Sequence, residues 1–404
     1  MNTLIIGAGG VAQVAAHKCA MNNHILGNIC IASRTQQKCE NIIESIKRKN
    51  SIKDQSKMIY SRRLNALNTY ETIKLIKESR SQIVLNLGSP FLNMSVLEAC
   101  IDTGVTYMDT AIHEEPDRVA AICETPPWYA NYEWKRKDRC TQKGINAILG
   151  IGFDPGVVNA YAAYAVKHLF DSIDTIDILD VNIGQHGKYF ATNFDPEINF
   201  REFTGTVWVW ENNHWVEYKT HSKKMFYVFP IVGEQSVYLT GHDELHSLSK
   251  NIKANSIRFW MGFSDHYINV FNVLKNTGLL SEKPVKTSEG LEIVPLKVVK
   301  ACLPDPSSLA PDYTGKTCIG NLIQGKKDGR DKEVFIYNIC DHKECFNEVE
   351  SQAISYTAGV PVVTAAILVA KKIWNPQTMV NVEELDPDPF LEELKRLGLS
   401  TEIK

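Results

Sequence analysis

A doubly wound parallel α/β sheet, followed by an α+β domain with a mixed sheet, is the fold class the sequence predicts, on three observations. A short apolar strand, Thr3-Leu4-Ile5-Ile6, runs into the glycine-rich turn Gly7-Ala8-Gly9-Gly10-Val11 and straight on into a helix-forming stretch. Strand and helix patterns then alternate to about residue 150, the rhythm of parallel strands joined by crossover helices. From about residue 170 the texture changes to strands rich in β-branched and aromatic residues, which reads as a mixed or antiparallel sheet.

The turn carries the first functional inference. Gly7 permits a tight bend, Gly9 lets backbone approach a pyrophosphate, and Gly10 and Val11 open a helix whose free N–H groups face the phosphates. Ala12 lets that helix lie close to the strand, so the N-terminal unit reads as a Rossmann domain. The second strand, Asn28 to Ala32, ends in Ser33-Arg34-Thr35. An NAD-binding chain usually places an acid there for the ribose hydroxyl. A guanidinium flanked by two hydroxyls suits a 2′-phosphate instead, so NADPH is the predicted cofactor.

Further strands are read at Lys57 to Tyr60, Gln82 to Leu87, Val105 to Asp109 and Ile145 to Leu149, with helices between them at Thr35 to Lys49 and Leu92 to Thr103. Ligands of such sheets sit at the C-terminal strand ends, which adds Asn86, Gly88 and Thr110 to the cofactor-binding candidates. The sixth strand leads into Gly150-Ile151-Gly152-Phe153-Asp154-Pro155-Gly156. This loop reads equally as an interdomain turn with a carboxylate favouring a helix dipole, or as backbone donors and an acid at the nicotinamide end of the cleft.

In the second part, Thr175 to Ile178 and Val181 to Ile183 alternate as strands, and Thr206 to Tyr218 reads as a hairpin turning at Asn212-Asn213. Strands are also expected at Ser236 to Thr240, Ile257 to Phe263 and Glu333 to Ile339, with a helix at Asp265 to Thr277. Trp208, Trp210 and Trp215 read as sheet-face or dimer-interface packing. From Ser351 the chain returns to helix, and an apolar helix starting near Gly359 is expected to cover the first sheet, whose two faces both need burying. The expected division is therefore residues 1–150, completed by C-terminal helices over about 352–404, and a substrate-binding and dimerisation domain over 151–351.

Composition narrows the function classes. The 404 residues exceed what one core usually serves. A net charge of -3 argues against a nucleic-acid partner. The apolar run from Ala358 to Ala370 is too short to span a bilayer, where roughly 20 residues are needed, so no membrane is expected. The chain opens on a strand rather than a signal peptide, and its 10 cysteines form no disulfide-like framework, which points to the cytoplasm. Cys340, His342 and Cys345 have ligand types but no second zinc-spaced group; they read as a loop before a helix, and no metal is predicted.

The glycine turn, Ala32-Ser33-Arg34, Gly152-Phe153-Asp154-Pro155-Gly156 and Ser355-Tyr356-Thr357-Ala358-Gly359-Val360-Pro361 together resemble the saccharopine dehydrogenase family over essentially the whole chain. Phe194 to Glu202, Thr240 to Leu245 and Ile257 to Met261 are similar to the branch that makes carboxynorspermidine and carboxyspermidine in polyamine biosynthesis. The resemblance implies NADPH-dependent reduction of the Schiff base between aspartate β-semialdehyde and a diamine, putrescine or 1,3-diaminopropane, by a homodimer. Such a substrate needs a cation for its carboxylate and acids for its distal ammonium. Arg201 fits the first role, and Asp154, Asp195, Glu197 and Glu202 are candidates for the second. His242 is a candidate proton relay or carboxylate ligand, with a structural histidine the competing reading; Asp154 and His242 are the catalytic candidates. A saccharopine reductase-like enzyme of lysine metabolism, a short-chain reductase built on Tyr70 and Lys74, and a non-catalytic NADPH-binding protein are the alternatives at this point.

Overall fold

The computed structural model describes residues 1–115 and 131–404. Its first sheet contains β1 (Thr3–Ile6), β2 (Ile29–Ser33), β3 (Ile59–Arg63), β4 (Ile83–Asn86), β5 (Thr106–Asp109) and β6 (Ala147–Leu149). The pairings among these six strands are all parallel, and β1 lies between β2 and β4. The chain runs outward from β1 through β2 to β3, then restarts on its other side with β4. This reversal opens a crevice above the C-terminal end of β1, where a doubly wound sheet binds its ligand.

β3 begins two residues later than the apolar pattern indicated and takes in Arg62 and Arg63, both exposed. It is the edge of the sheet, where charged side chains are tolerated because one side faces water.

The second sheet is 9-stranded. It contains β7 (Ser172–Asn182), β8 (Thr206–Glu211), β9 (His214–Lys219), β10 (Lys224–Phe229), β11 (Gly233–Thr240) and β12 (Ala254–Gly262), then, past a short ribbon of β13 (Val285–Lys286) and β14 (Glu292–Ile293), β15 (Lys316–Lys327) and β16 (Arg330–Asp341). β7 is parallel to β12 and antiparallel to β15, so the sheet is mixed as expected. The β8–β9 hairpin turns at Asn212 and Asn213, both at positive φ (51° and 62°), the backbone that a two-residue turn of this kind requires. Trp210 and Trp215 pack edge to face on this hairpin, and Trp215 stacks on His246, leaving both half-buried on the sheet face.

Two sequence expectations change here. The two strands read at 175–178 and 181–183 are one 11-residue strand. Asp180, in the gap left between those two stretches, lies within the strand beside Met261 of β12 and Ile319 of β15. β15 itself was missed because Gly320 and Gly325 interrupt its pattern. A side chain at Gly320 would run into the carbonyl of Ile336 on β16, and Gly325 marks a register shift against β7.

The main helix of the C-terminal segment does not lie directly on the first sheet as expected; it touches β15 and β16 of the second sheet and reaches the first unit through a helix. The helix Ala353–Ala370 is buried along nearly all of its length and packs on the helix Gly10–Met21. It is longer than the apolar run had indicated and, among the described residues, is the one helix long and apolar enough to cross a bilayer; 83% of it is buried inside the fold. Past it, β17 (Met379–Asn381) adds to β6 as a further parallel strand, too short to stand out in the sequence. The final strand, β18 (Glu402–Ile403), leaves this unit and pairs with β16 of the second sheet. The segment 352–404 is thus shared between the two sheets rather than committed to the first.

The helix contact depends on Gly359, where an added Cβ would lie 2.7 Å from Val14 Cβ and 2.9 Å from the carbonyl oxygen of Val11. Gly359→Val is expected to destabilise the protein by about 1–3 kcal/mol through overpacking, read as a lower urea midpoint with an unchanged m-value.

Candidate active site

A cavity of about 830 Å³ runs from the crevice above β1 to the second sheet. At one end it is lined by Gly7, Gly9, Gly10, Val11, Ser33, Arg34 and Thr35, and further along by Gly88 and Thr110. These are the predicted cofactor residues with one exception. Asn86 is buried and turned away, its Nδ2 donating to Asn93 Oδ1 at 2.8 Å, so it supports the β4 end rather than facing the cleft.

The cradle fits a dinucleotide. Gly7 has φ +125°, and a side chain there would collide with the carbonyl of Leu87, so two strand ends are brought together only because the residue is glycine. Nothing lies within 4 Å of a Cβ built on Gly9, which keeps the approach to the helix N-terminus open. Arg34 forms no hydrogen bond or ion pair among the described residues, leaving a free guanidinium where a 2′-phosphate belongs.

The loop after β6 is fixed by Asp109, whose Oδ1 accepts the Gly150 N–H at 2.6 Å while its Oδ2 accepts the Tyr107 hydroxyl at 2.8 Å. Gly156, at φ +135°, closes the loop against Gly152, and the side chain of Asn159 accepts the Gly156 N–H at 2.9 Å. This holds Asp154, joined to Pro155 by a cis peptide, at the centre of the cavity wall.

Around Asp154 the second domain contributes Asp180 from β7, Glu202 from the helix Pro196–Thr204, and His242 and Asp243 from the loop after β11. Asp180, Met261 and Ile319 form a row across three neighbouring strands, all facing the cavity. The Asp180 and Asp154 carboxyls act on one another: a charge on Asp180 pushes Asp154 further towards its protonated form. His242 stacks on Phe259 at 4.1 Å, and its Nδ1 lies 2.5 Å from Oε2 of the fully buried Glu244.

The electrostatics are those of an acid-rich pocket. Burial pushes Glu202 up to about 8 and Asp180 and Asp243 up to about 7, and raises Asp154 well above the usual carboxylate range with help from Asp180. Burial opposes a charge on His242, but the carboxylates of Glu244, Asp154 and Glu202 outweigh it and hold the imidazolium well above its ordinary value. Oxygens of Asp180, Glu202 and Glu244 are buried without a hydrogen-bond partner among the described residues. Unpaired buried acceptors are costly and call for a donor from a ligand.

The structure corrects two substrate-site assignments. Arg201 does not line the cavity: its side chain is 2% exposed, paired with Glu282 at 2.7 Å and with Glu197 and Glu114 at 3.3 Å, and its guanidinium lies over the Phe91 ring. Its cation is already committed, so it cannot receive a substrate carboxylate. Glu197 is likewise absorbed, held between Arg201 and Lys300. Of that segment, Asp195 lines the cavity but caps its helix and pairs with Lys300 at 2.9 Å, and Glu202 is the acid that faces the pocket's interior. The sequence reading missed Asp180, Asp243, Glu244 and Lys300. The adjacency of His242-Asp243-Glu244 was a usable signal, whereas Lys300 has none in the sequence. Cys340 lies in β16, and His342 and Cys345 lie in the helix that follows it, rather than in a loop; the two thiols lie 3.2 Å apart while His342 turns away to Asn182.

A family model described as the saccharopine dehydrogenase NADP binding domain matches residues 3–148, and one described as the saccharopine dehydrogenase C-terminal domain matches residues 152–399. The chain belongs to the saccharopine dehydrogenase family. Within that family it is 50% identical over 404 residues to the carboxynorspermidine synthase of Vibrio alginolyticus, covering 100% of this chain and 97% of that one. It is 42% identical over 397 residues to the carboxyaminopropylagmatine dehydrogenase of a Synechocystis species, covering 98% and 96%. In fold it is similar to the saccharopine dehydrogenase (L-Glu forming) of Saccharomyces cerevisiae, with a TM-score of 0.70 at 13% identity over 100% of this chain and 99% of that one. The protein is accordingly an NADP-dependent oxidoreductase of this family, and NADPH is its cofactor.

Replacing Arg34→Ala removes a charge-assisted contact to the 2′-phosphate. The ratio of NADH to NADPH dissociation constants, measured by quenching of protein fluorescence, is expected to fall at least about tenfold, with NADH binding itself nearly unchanged.

Proposed function

We propose that the protein reduces the imine formed between aspartate β-semialdehyde and a diamine, putrescine or 1,3-diaminopropane, giving carboxyspermidine or carboxynorspermidine. The observation that carries this reading is the surplus of cavity-facing carboxyls, Asp154, Asp180, Glu202 and Asp243, over the single imidazolium of His242. A flexible dication satisfies such a pocket, whereas a second amino-acid carboxylate, as in saccharopine formation, would be repelled by it. The names of the 50% and 42% identical relatives support the same amine-joining chemistry.

In this reading, Asp180 and Asp154 hold the distal ammonium. Glu202, with its raised affinity for protons, takes one from the attacking ammonium and frees the nitrogen to add to the aldehyde carbon. His242, oriented by Glu244 through Nδ1, presents Nε2 to the hydroxyl of the carbinolamine and donates the proton with which it leaves as water. NADPH, when bound, supplies the hydride that reduces the imine carbon. Burial of the acids excludes the water that would reverse the condensation.

The protein is further proposed to work in the cytoplasm, in keeping with free cysteines throughout the described residues, and as a homodimer. The exposed Phe226 and Val228 on the edge strand β10 give the dimer an apolar face to bury.

NADPH oxidation with aspartate β-semialdehyde and a panel of amines tests the reading. Putrescine and 1,3-diaminopropane are expected to support turnover and glutamate is not; agmatine, whose name the Synechocystis relative carries, separates an ammonium site from a guanidinium site. Turnover with glutamate alone would overturn the assignment.

The raised carboxyls also set a pH dependence. A carboxyl raised in the folded state stabilises the fold below its unfolded value, near 4, and loses that contribution as pH rises through the folded value. For Asp180, Asp243 and Glu202 the loss runs up to about pH 7 to 8. The ligand-free protein should therefore melt at lower temperature at pH 8.5 than at pH 6. Putrescine should restore more of the melting temperature at pH 8.5, its dissociation constant falling about tenfold per pH unit while one carboxyl must shed its proton to bind it. Equal stabilisation at both pH values would remove these acids from the amine site.

A further inference from the structure

Lys38 lines the same cavity as Arg34, and its Nζ lies 3.1 Å from Oδ2 of Asp305, which comes from the other domain and lines the opposite lip. Lys38 sits in the first turn of the helix Gln36–Arg48, with its backbone N–H donating to the carbonyl oxygen of Thr35, so its stem is anchored on the segment that closes the cofactor site. Asp305 is equally fixed: its Oδ1 accepts the Ser307 N–H at 3.0 Å and the Ser307 hydroxyl at 2.7 Å. Burial works against its charge, but the Ser307 contacts and the Lys38 ammonium outweigh burial and hold its carboxyl below the usual range. Asp305 is therefore ionised at neutral pH, and with both side chains about half exposed its pair with Lys38 is weak.

We propose that Lys38 is a second ligand for the 2′-phosphate and that Asp305 competes with the phosphate for it, as an electrostatic brake on cofactor binding built across the mouth of the cleft. A phosphate monoester carries close to two negative charges at neutral pH against one on Asp305, so the ammonium exchanges partners when the 2′-phosphate arrives beside Arg34. Once Lys38 has moved, Asp305 has lost its cation, and the cost of breaking that pair limits affinity and favours release. A cofactor without the 2′-phosphate leaves the cross-cleft pair intact. The inference rests on the NADPH assignment and is independent of the amine substrate.

Calorimetric titration of the whole protein with 2′,5′-ADP, 5′-AMP, NADPH and NADH tests it without turnover. Lys38→Met should weaken 2′,5′-ADP and NADPH about tenfold and change 5′-AMP and NADH less than about twofold. Asp305→Asn keeps the cap on Ser307, because an amide oxygen accepts as a carboxylate does. It should tighten 2′,5′-ADP and NADPH about two- to fivefold and leave the other two ligands unchanged. In the double variant the Asp305→Asn effect should vanish, since there is no longer an ammonium to compete for. Equal weakening of all four ligands by Lys38→Met would overturn the proposal, as would an unchanged 2′,5′-ADP affinity. So would a gain from Asp305→Asn that survives in the Lys38→Met background, or a loss of affinity in Asp305→Asn.

Discussion

Buried carboxyls outnumber buried cations at the second-domain end of the cleft, and the rest of the site follows from that imbalance. Asp154, Asp180, Glu202, Asp243 and Glu244 surround one imidazole in surroundings where an ionised carboxylate without a partner is costly. The fold meets the cost partly by protonation, with carboxyls raised toward neutral pH, and partly by holding His242 charged. What remains is a set of buried carboxyl oxygens with no hydrogen-bond partner among the described residues.

The opposite end of the cavity carries the opposite sign. There the helix N-terminus behind Gly9, Arg34, unpaired among the described residues, and the nearby Lys38 create a site for anions. One continuous cavity thus divides by charge: basic groups and a helix N-terminus at the first sheet, carboxyls at the second, and between them the Gly152 to Pro155 loop that Asp109 fixes in place. The two domains are held in register by the helix Ala353–Ala370 and by a terminal strand that crosses from one sheet to the other.

Arg201 shows how local chemistry in a sequence can mislead. Among acids, in a segment similar to the family pattern, it had the composition of a carboxylate ligand. In the fold its neighbours Glu197, Glu282 and Glu114 consume its charge, and it ties the helix that delivers Glu202 to the chain around it. Glu282 lies far away in sequence, so no local pattern could have revealed that pairing.

By itself the sequence determined the alternation of strands and helices in the first unit, the cofactor turn and the basic end of the second strand. These are local devices, in which a glycine or a guanidinium acts within a few residues of where it stands in the chain. The same holds for the β8–β9 turn and for the identity of the Asp154 loop. Only the tertiary structure decided which acids face the cavity. Asp180 in a strand, Glu202 on a helix and Asp243 in a loop reach one pocket from separate elements. Their protonation is set by burial and mutual repulsion, quantities that exist only once the chain has closed around them.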